Sequence, residues 1–170
     1  QNFDEIYRYS DLVPSKCALL VGPKYALLKS EYQIARLRKR SNTVKRILVF
    51  FGGTDLDDLT GTTLSALSKI DLSEIWVDIV IGVNYSNIGF LEKLSAKRGR
   101  TRIHELRPHL ADLMAEADLA IGAVGITNWE RMCARLPSIV ISLADNQNSI
   151  SKKLHNLEAV NWIGSADDVN

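Results

Sequence analysis

A chain of 170 residues, with 46% hydrophobic and 24% charged residues, has the composition of an ordinary globular protein and the length for one sizeable core. Its net charge of +1 gives no broad positive surface, so we expect no nucleic-acid partner. No apolar run approaches the roughly 20 residues of a membrane span and no signal peptide opens the chain, so we expect no membrane span and a cytoplasmic location. The polar start at Gln1, without Met, indicates a piece of something larger.

Residues 1–16 show no sustained hydrophobic period and contain Pro14, so we interpret them as a connecting arm. The following run CALLVGP, residues 17–23, predicts a short buried strand that ends at Gly22-Pro23. Cys17 in this run and Cys133 both lie beside apolar residues and have no CxxC partner. We therefore expect two buried, reduced thiols rather than a disulfide.

A helix is predicted to begin at Ser30, with this serine as its N-cap. Basic residues at its C-terminal end suit the negative end of the helix dipole. They are Arg36, Arg38, Lys39 and Arg40. We expect a solvated helix end here rather than a site for an acidic partner.

The rest of the chain alternates between strand and helix patterns. Strands are predicted at 45–51, 75–82, 101–106, 119–123 and 138–143, and a further strand begins at 162–164. Helices are predicted at 59–67, 90–97, 110–117, 127–135 and 149–160. Because each parallel crossover needs a helix to span it, we expect one α/β, Rossmann-like domain over residues 17–170, with a mainly parallel sheet and helices on both faces.

Ligands of open parallel sheets bind outside the carboxyl ends of the strands. In this chain those ends are residues 52–54, 82–84, 106–108, 122–125 and 144–147, which contain much of its glycine and polar sequence. We therefore expect the binding site at this edge.

The turn Gly52-Gly53-Thr54 follows a strand and precedes a helix. Two residues without side chains let an anion approach the backbone, and Thr54 adds a hydroxyl. The same residues also fit a tight turn with Thr54 or Asp55 as the helix cap. Since the turn is neither a Walker A loop nor a GxGxxG motif, ATP hydrolysis and NAD binding lose support.

The turn from Gly122 to Thr127 is followed by Glu130, one helical turn later. A threonine near a phosphate and a carboxylate one turn deeper suit a nucleotide, with the carboxylate accepting both hydroxyls of a ribose. Alternatively, Thr127 and Glu130 form a capping box of the T-x-x-E type. At the next strand end, Asp145-Asn146-Gln147 either contributes to the site or forms a polar loop.

His104 and His109 lack a third ligand at metal spacing, so we expect no metal and no cofactor and interpret both as ordinary structural residues. The chain contains no GxSxG motif, so a Ser-His-Asp hydrolase is not supported. The three tryptophans, Trp76, Trp129 and Trp162, are predicted to pack rather than to stack on a base.

Five segments resemble a known family in order and spacing. They are LLVGPKYALL (19–28), ILVFFGGTD (47–55), VDIVIG (77–82), ADLAIGAVGITNWER (117–131) and LPSIVISLADNQ (136–147). Together they are similar to the C-terminal half of the UDP-sugar hydrolases of pseudaminic acid biosynthesis, which act on UDP-2,4-diacetamido-2,4,6-trideoxy-β-L-altropyranose. These enzymes resemble the peptidoglycan glycosyltransferase that adds N-acetylglucosamine, and both belong to the two-domain GT-B group.

The resemblance implies a UDP-binding half of a GT-B fold that works with an N-terminal domain of the same protein. It places uracil near the strand end that contains Arg107 and Pro108. Phosphates are expected at Gly53 and Thr54 and at Gly125-Ile126-Thr127, and ribose at Glu130. Asn146 and Gln147 are expected to face the sugar or the catalytic water.

In the family, water cleaves the bond between the anomeric carbon and UDP without a metal, and the general base is a histidine of the N-terminal domain. No catalytic residue is therefore assigned on this chain. Two alternatives stay open: the donor half of a true glycosyltransferase, and a degenerate domain that binds a protein partner.

This chain departs from the family's usual GAGGSTTWER at three positions, Val124, Ile126 and Asn128. Because a β-branched residue is strained at positive φ, we expect Val124 to adopt an αR- or β-like backbone. Arg135 stands where the family has a glycine before Leu136.

Overall fold

A computed structural model describes residues 6–169, so the predictions for residues 1–5 and 170 lie outside the described part of the chain. The strands are β1 (Arg46–Phe50), β2 (Trp76–Ile81), β3 (Thr101–Glu105), β4 (Leu119–Ala123), β5 (Ser138–Ser142) and β6 (Asn161–Ser165). The α-helices are α1 (Glu31–Ala35), α2 (Leu59–Lys69), α3 (Ile88–Arg98), α4 (Ala111–Glu116), α5 (Ile126–Cys133), α6 (Asp145–Asn156) and α7 (Ala166–Val169). Short 3-10 helices lie at Ile6–Tyr9 and Pro23–Tyr25.

The six strands form one parallel sheet in the order β3-β2-β1-β4-β5-β6. This confirms the predicted Rossmann-like sheet. β1 lies in the centre, where Ile47 to Phe50 are all buried, as the non-alternating apolar run predicts. Successive side chains of each strand point to opposite faces, so both faces of the sheet are apolar.

One face of the sheet packs against α1, α4, α5 and α6, and the other against α2, α3 and α7. Leu48, Phe50 and Val80 bury the first face together with Tyr32 and Met114. The same face continues as a cluster that includes Val124, Trp129, Val140, Leu154 and Val160. The second face is buried by a cluster that includes Val49, Ile79, Leu59, Leu64 and Leu91. Helices thus cover both faces, as predicted.

The predicted strand at residues 17–23 is wrong, because residues 17–21 have no regular structure. Gly22 has a φ of 90°, in the left-handed region, and Pro23 starts a 3-10 helix, so the chain turns instead of extending. The nearby Ala26 and Leu28 pack against the cluster around Trp129 rather than onto a sheet edge.

The two thiols are free, as expected, but their predicted burial is wrong for Cys17, which is exposed, and only partly right for Cys133, which is half-buried. The predicted burial of Cys17 depended on the strand at 17–23, and that strand does not form. Cys133 ends α5 next to the segment 23–28, and that segment covers it incompletely.

The predicted solvated helix end is confirmed for Arg36 and Lys39, which are exposed, and is wrong for Arg38 and Arg40. Arg38 donates to the carbonyls of Ala115 and Ala117 and forms an ion pair with Asp118 at 2.9 Å. Arg40 donates to three carbonyls, those of Met114, Ala117 and Ala134. α1 ends at Ala35, so Arg38 and Arg40 lie in the segment that follows the helix. Their side chains bind this segment to the C-terminal ends of α4 and α5.

Two helix starts differ from the prediction. α6 begins at Asp145 rather than Ser149, so Asn146 and Gln147 lie in its first turn and not in a polar loop. Ser30 precedes α1 as predicted, but its hydroxyl contacts the Glu31 carboxylate and caps no amide.

The packing predicted for the tryptophans is confirmed for Trp129, which is 7% exposed. The half-buried Trp162 donates its indole N–H to Ser142. Trp76 lies beside the guanidinium groups of Arg46, Arg100 and Arg102, at 5.9, 6.0 and 4.6 Å from its ring centroid. Every helix in the described part of the chain is too short or too polar to span a bilayer.

Candidate functional site

The sheet reverses its direction of growth between β1 and β4. From β1 the chain proceeds outward to β3, then returns to place β4 on the other side of β1. Ligands of such sheets bind in the crevice outside the carboxyl ends of the two strands that flank this reversal. Here the crevice lies between the turn after β1 and the turn after β4, where the sequence predicts a site.

The turn after β1 is fixed by carboxylates. Asp55 accepts hydrogen bonds from the amides of Leu59 and Thr60 at 3.0 and 2.8 Å, and Asp58 accepts from Gly61 at 3.0 Å. The N-cap of α2 is therefore Asp58 rather than the predicted Thr54 or Asp55, although Asp55 does accept from the first two amides of the helix. Because carboxylates occupy the first amides of α2, this helix end has little capacity left for an anion.

Gly53 and Thr54 lie exposed just before that cap. Gly52 has a φ of 105°, which favours glycine and turns the chain out of β1. The carbonyl of Gly53 lies against Gly82 at the end of β2, where an added Cβ would come within 1.8 Å of the oxygen. Close backbone packing thus sets the position of the Gly53-Thr54 rim.

The turn after β4 differs, since no side chain caps α5 and its first turn contains no acidic residue. The N-cap is Gly125, so the capping box predicted as an alternative for Thr127 and Glu130 does not form. The amide of Asn128 donates to the Gly125 carbonyl at 3.1 Å. The amides of Ile126 and Thr127 are left without a side-chain cap at the positive end of the helix dipole, which favours an anion.

Val124 lies at a bend directly after β4 and is not among the residues with positive φ in the described chain, as expected. Its amide donates to the carbonyl of Ile141 at 3.1 Å, and its side chain is 5% exposed in the cluster with Trp129 and Leu154. The valine therefore anchors the turn rather than straining it. Arg135, by contrast, has a φ of 53°, a conformation that favours the family's glycine.

A buried guanidinium lies beneath this turn. Arg131 is 2% exposed, and its Nη2 donates to the carbonyl of Ala123 at 2.7 Å and to Oδ1 of Asn128 at 3.4 Å. Its Nε is buried without a hydrogen-bond partner among the described residues. Burial lowers the pKa of Arg131 to about 10, and Glu130 acts in the opposite direction. Arg131 thus stays charged at neutral pH and adds positive potential behind the turn.

Glu130 is half-buried beside several polar groups of other elements. Burial raises the pKa of its carboxyl, whereas hydrogen bonding by Tyr32 and the charges of Arg131, Lys29 and His109 lower it. Tyr32 is 1% exposed, and its hydroxyl accepts from the amide of Leu110 at 3.2 Å. The opposing effects on this pKa thus come from α5 itself and from residues near the starts of α1 and α4.

Lys29 contacts the segment that follows β3, because its Nζ donates to the carbonyl of Pro108 at 2.8 Å. Arg107 is exposed, forms an ion pair with Asp112 at 2.6 Å and lies 3.2 Å from Nδ1 of His104. The side chain of Arg107 therefore contacts Asp112 and His104, and only the neighbouring Pro108 is bonded to Lys29.

The two histidines have structural contacts. Nε2 of His104 lies 2.7 Å from the buried carboxylate of Asp78, as an ordinary strand histidine. His109 precedes α4, 3.9 Å from Glu31, and its Nδ1 is buried without a partner among the described residues. Across residues 6–169, no three His, Cys, Asp or Glu side chains converge as metal ligands.

Asn146 and Gln147 follow β5, on the far side of β4 from β1. Oε1 of Gln147 accepts from the amide of Leu143 at 2.9 Å and so fixes the turn into α6, while Asn146 is exposed at the helix start. The structure joins Pro108 to Lys29 and places Gly125 to Thr127 at the start of the helix that contains Glu130. Asn146 and Gln147 belong to the neighbouring helix end.

Sequence patterns did not identify Lys29, Tyr32 or Arg131 as parts of this site. Tyr32 and Lys29 are far from Glu130 in sequence, and only the packing of α1 against α4 and α5 brings them together. A signal did exist for Arg131. It lies three residues after Asn128 on one helix face, so both polar side chains fall on the face buried against the sheet.

Comparison with known proteins supports the fold and a distant homology. No protein-family model matches the chain. It is 29% identical to 39% of the spore coat polysaccharide biosynthesis protein SpsG of Bacillus subtilis, a match that covers 77% of this chain. It is 26% identical to 54% of the UDP-2,4-diacetamido-2,4,6-trideoxy-beta-L-altropyranose hydrolase of Campylobacter jejuni, over 88% of this chain. The chain thus spans about half or less of these relatives.

Among solved structures, MurG of Acinetobacter baumannii superposes on 93% of this chain with a TM-score of 0.59 at 17% identity, and the match covers 47% of MurG. The structural neighbours are GT-B glycosyltransferases. The chain has the fold of one Rossmann-like half of GT-B. At this level of identity the superposition establishes the fold, and the role of the crevice has to be argued from its residues.

Proposed function

We propose that this chain is the UDP-sugar-binding half of a cytoplasmic hydrolase that releases UDP from a 2,4-diacetamido-2,4,6-trideoxy sugar in pseudaminic acid biosynthesis. The observation that carries the proposal is the pairing of an uncapped helix start with the buried charge of Arg131 and the positioned carboxylate of Glu130. A nucleoside diphosphate presents a matching order of groups: an anion, then two ribose hydroxyls.

In this proposal the diphosphate lies on the amides of the turn Gly125-Ile126-Thr127, and the hydroxyl of Thr127 donates to it. Gly53 and Thr54 form the opposite rim and let the anion approach closely. The carboxylates of Asp55 and Asp58 already occupy the first amides of α2, so this rim stabilises the negative charge of the diphosphate less than α5 does. The Asp55 cap therefore favours α5 as the main phosphate site.

The ribose hydroxyls donate to Glu130, and uracil lies by the backbone at Arg107 and Pro108, next to Lys29. Asn146 and Gln147 lie beyond the phosphates and face the sugar or the catalytic water. Gln147 can only donate there through its amide nitrogen, because Leu143 occupies Oε1.

Hydrolysis breaks the bond between the anomeric carbon and the UDP oxygen. Water forms the new bond to carbon, its proton passes to a general base, and UDP departs with the electron pair. We assign that base to a histidine of an N-terminal domain of the same protein, as the resemblance to the hydrolase family implies. Uncapped amides at α5 and the charge of Arg131 stabilise the departing diphosphate.

The proposal is tested by calorimetric titration of the chain with UDP. We expect UDP to bind and to raise the unfolding temperature. The combined variant Thr127→Ala and Glu130→Ala should lose about 3 to 6 kcal/mol of binding free energy, the sum of two charge-assisted contacts. The matched control, Thr62→Ala with Glu92→Ala, alters the same residue types at exposed helix positions and should bind normally.

Absence of both heat and thermal protection with the unaltered chain would refute the proposal. If UDP binds but the Thr127 and Glu130 variant binds equally well, a degenerate domain that serves a protein partner is favoured instead.

A second candidate is the donor half of a glycosyltransferase, which the GT-B neighbours favour. The parent protein supplied with a UDP-sugar distinguishes the two. Free sugar released without any acceptor supports the hydrolase, and strict dependence on an acceptor hydroxyl supports the transferase.

A further inference from the structure

One indole and two buried hydroxyl groups form a continuous hydrogen-bond chain between β6, β5 and α6. The indole N–H of Trp162 donates to Oγ of Ser142 at 2.9 Å. Oγ of Ser142 lies 3.1 Å from Oγ of Ser151, and Oγ of Ser151 donates to the main-chain carbonyl of Gln147 at 2.6 Å. Both serines are 0% exposed, so each hydroxyl needs its partners inside the protein.

The direction of this chain follows from the number of protons in it. A serine hydroxyl has a single proton, and Ser151 uses its proton on the carbonyl of Gln147. Ser142 is therefore the donor in the bond between the two serines, and its oxygen accepts from Trp162, because an indole N–H only donates. Donation in one direction through successive groups strengthens each bond, and the last bond in the series holds Gln147.

Trp162, at the start of the chain, is itself fixed to the sheet and to the far end of α6. Its main-chain amide donates at 3.2 Å to Nδ1 of His155, in the last turn of that helix. Across the β5–β6 pair Trp162 lies opposite Val140, whereas Ser142 lies opposite Ser165, so β6 contains one extra residue at this point. Trp162 therefore links the C-terminal end of α6 directly, and its N-terminal end through the two serines, to the edge of the sheet.

The side chain of Gln147 is held by a separate contact. Its Oε1 accepts from the amide of Leu143 at 2.9 Å, which leaves Nε2 and its two N–H groups for a ligand. Gln147 is half-buried in the first turn of α6, just beyond the carboxyl end of β5. Ser151 fixes the main chain of this residue and Leu143 fixes its side chain, so the donor is oriented before a ligand binds.

We infer that Ser142 and Ser151 are positioning residues that hold Gln147 so that its Nε2 donates to an oxygen of the sugar in a bound UDP-sugar. The inference rests on the proposed function and deepens it, since it assigns part of the affinity for the sugar to two buried hydroxyls that no ligand reaches. Loss of either hydroxyl should then weaken the binding of a UDP-sugar without weakening that of UDP.

The experiment is calorimetric titration of the chain with two ligands. One is UDP, which reports the diphosphate and ribose contacts alone. The other is UDP-2,4-diacetamido-2,4,6-trideoxy-β-L-altropyranose, the sugar nucleotide of the proposed reaction. The unaltered chain is compared with Gln147→Ala, Ser142→Ala, Ser151→Ala and Ser149→Ala. Ser149→Ala is the matched control, because Ser149 lies exposed on the same helix.

Gln147→Ala should weaken binding of the sugar nucleotide by about three- to tenfold, the contribution of one hydrogen bond, and leave the binding of UDP unchanged. Ser142→Ala and Ser151→Ala should each weaken binding of the sugar nucleotide by about threefold and also leave UDP unchanged. Adding Ser151→Ala to Gln147→Ala should cause no further loss, because Ser151 acts through Gln147. Ser149→Ala should bind both ligands normally.

A matched pair at position 151 separates the hydroxyl from packing. Threonine keeps the hydroxyl and valine has the same shape without it, so Ser151→Thr and Ser151→Val add similar bulk to the buried site. We expect Ser151→Thr to bind the sugar nucleotide more tightly than Ser151→Val does, while the two variants bind UDP equally. Equal binding of the sugar nucleotide by both variants overturns the inference. If neither variant folds, the alanine variants decide.

The possible failures are distinguishable. If the unaltered chain binds neither ligand, the proposed function fails. A purely structural role for the serines would weaken both ligands alike in Ser142→Ala and Ser151→Ala, and that result overturns the inference alone. Serine variants that bind the sugar nucleotide normally also overturn it, as does a Gln147→Ala variant that binds both ligands like the unaltered chain.

Discussion

Two glycines of the β4 turn should respond oppositely to the same substitution. Gly125 has a φ of 174°, which any residue adopts, and an added Cβ meets nothing within 4 Å. Gly122 faces β1, and its added Cβ would lie 2.1 Å from the carbonyl oxygen of Phe50 and 2.9 Å from Nη1 of Arg131. Alanine therefore fits at Gly125 and does not fit at Gly122.

The expected magnitudes follow from these surroundings. Alanine is a poorer N-cap than glycine, which lowers the free energy of unfolding of Gly125→Ala by about 1 kcal/mol. Alanine also reduces the conformational entropy of the unfolded chain, which raises the free energy of unfolding by about 0.4 to 1 kcal/mol, so the two effects nearly cancel. At Gly122 the clash is with strand backbone, which cannot move without separating β1 from β4. We expect a loss of about 3 kcal/mol or more.

Urea unfolding and UDP titration together test this prediction. Gly125→Ala should keep its unfolding midpoint but lose about tenfold or more in UDP affinity, because the methyl group occupies the approach of the diphosphate. Gly89→Ala is the control, since Gly89 also has open space around it but lies in α3, away from the crevice. Unchanged UDP affinity in Gly125→Ala, or unfolding as severe as in Gly122→Ala, would refute the reasoning.

Three further substitutions test the packing and charge of the fold. Arg135→Gly should stabilise the chain by up to about 1 kcal/mol, because φ is 53° there, and a lower thermal midpoint would contradict it. Arg40→Ala should cost about 2 to 4 kcal/mol in urea unfolding, because three carbonyls lose their donor, whereas the exposed neighbour Lys39→Ala should cost little. Glu130→Gln should stabilise the unliganded chain increasingly as the pH rises, because a raised carboxyl pKa means that the folded state loses stability as this group ionises. Thermal midpoints at pH 4 and pH 8 check the sign, and an advantage confined to pH 4 would be inconsistent with it.

The sheet could be predicted because its signal is local. The run at 45–51 does not alternate and is buried on both faces, and glycine or proline marks most of the strand ends. Residues 17–23 carry the same apolar signal without forming a strand. The conformation of this segment depends on tertiary packing, since the nearby Ala26 and Leu28 pack against the apolar cluster that contains Trp129.

The sequence predicts a site at the carboxyl edge of the sheet, but it did not predict the contacts between residues that lie there. Thr127 and Glu130 have capping-box spacing, yet the N-cap of α5 is Gly125, two residues before Thr127, and this difference in the helix start removes that cap. Arg38 and Arg40 have the pattern of a solvated helix end and instead donate to distant carbonyls. Such long-range donor and acceptor pairs leave no periodicity in the sequence.

The fixed position of Val124 has a kinetic consequence. A β-branched side chain is stiff at χ1, and here it is buried while its amide pairs with Ile141. A turn held in this way presents its amides in one arrangement before any ligand arrives. An anion that docks there needs no loop rearrangement, so its association rate should be set by diffusion and charge and should fall as ionic strength rises.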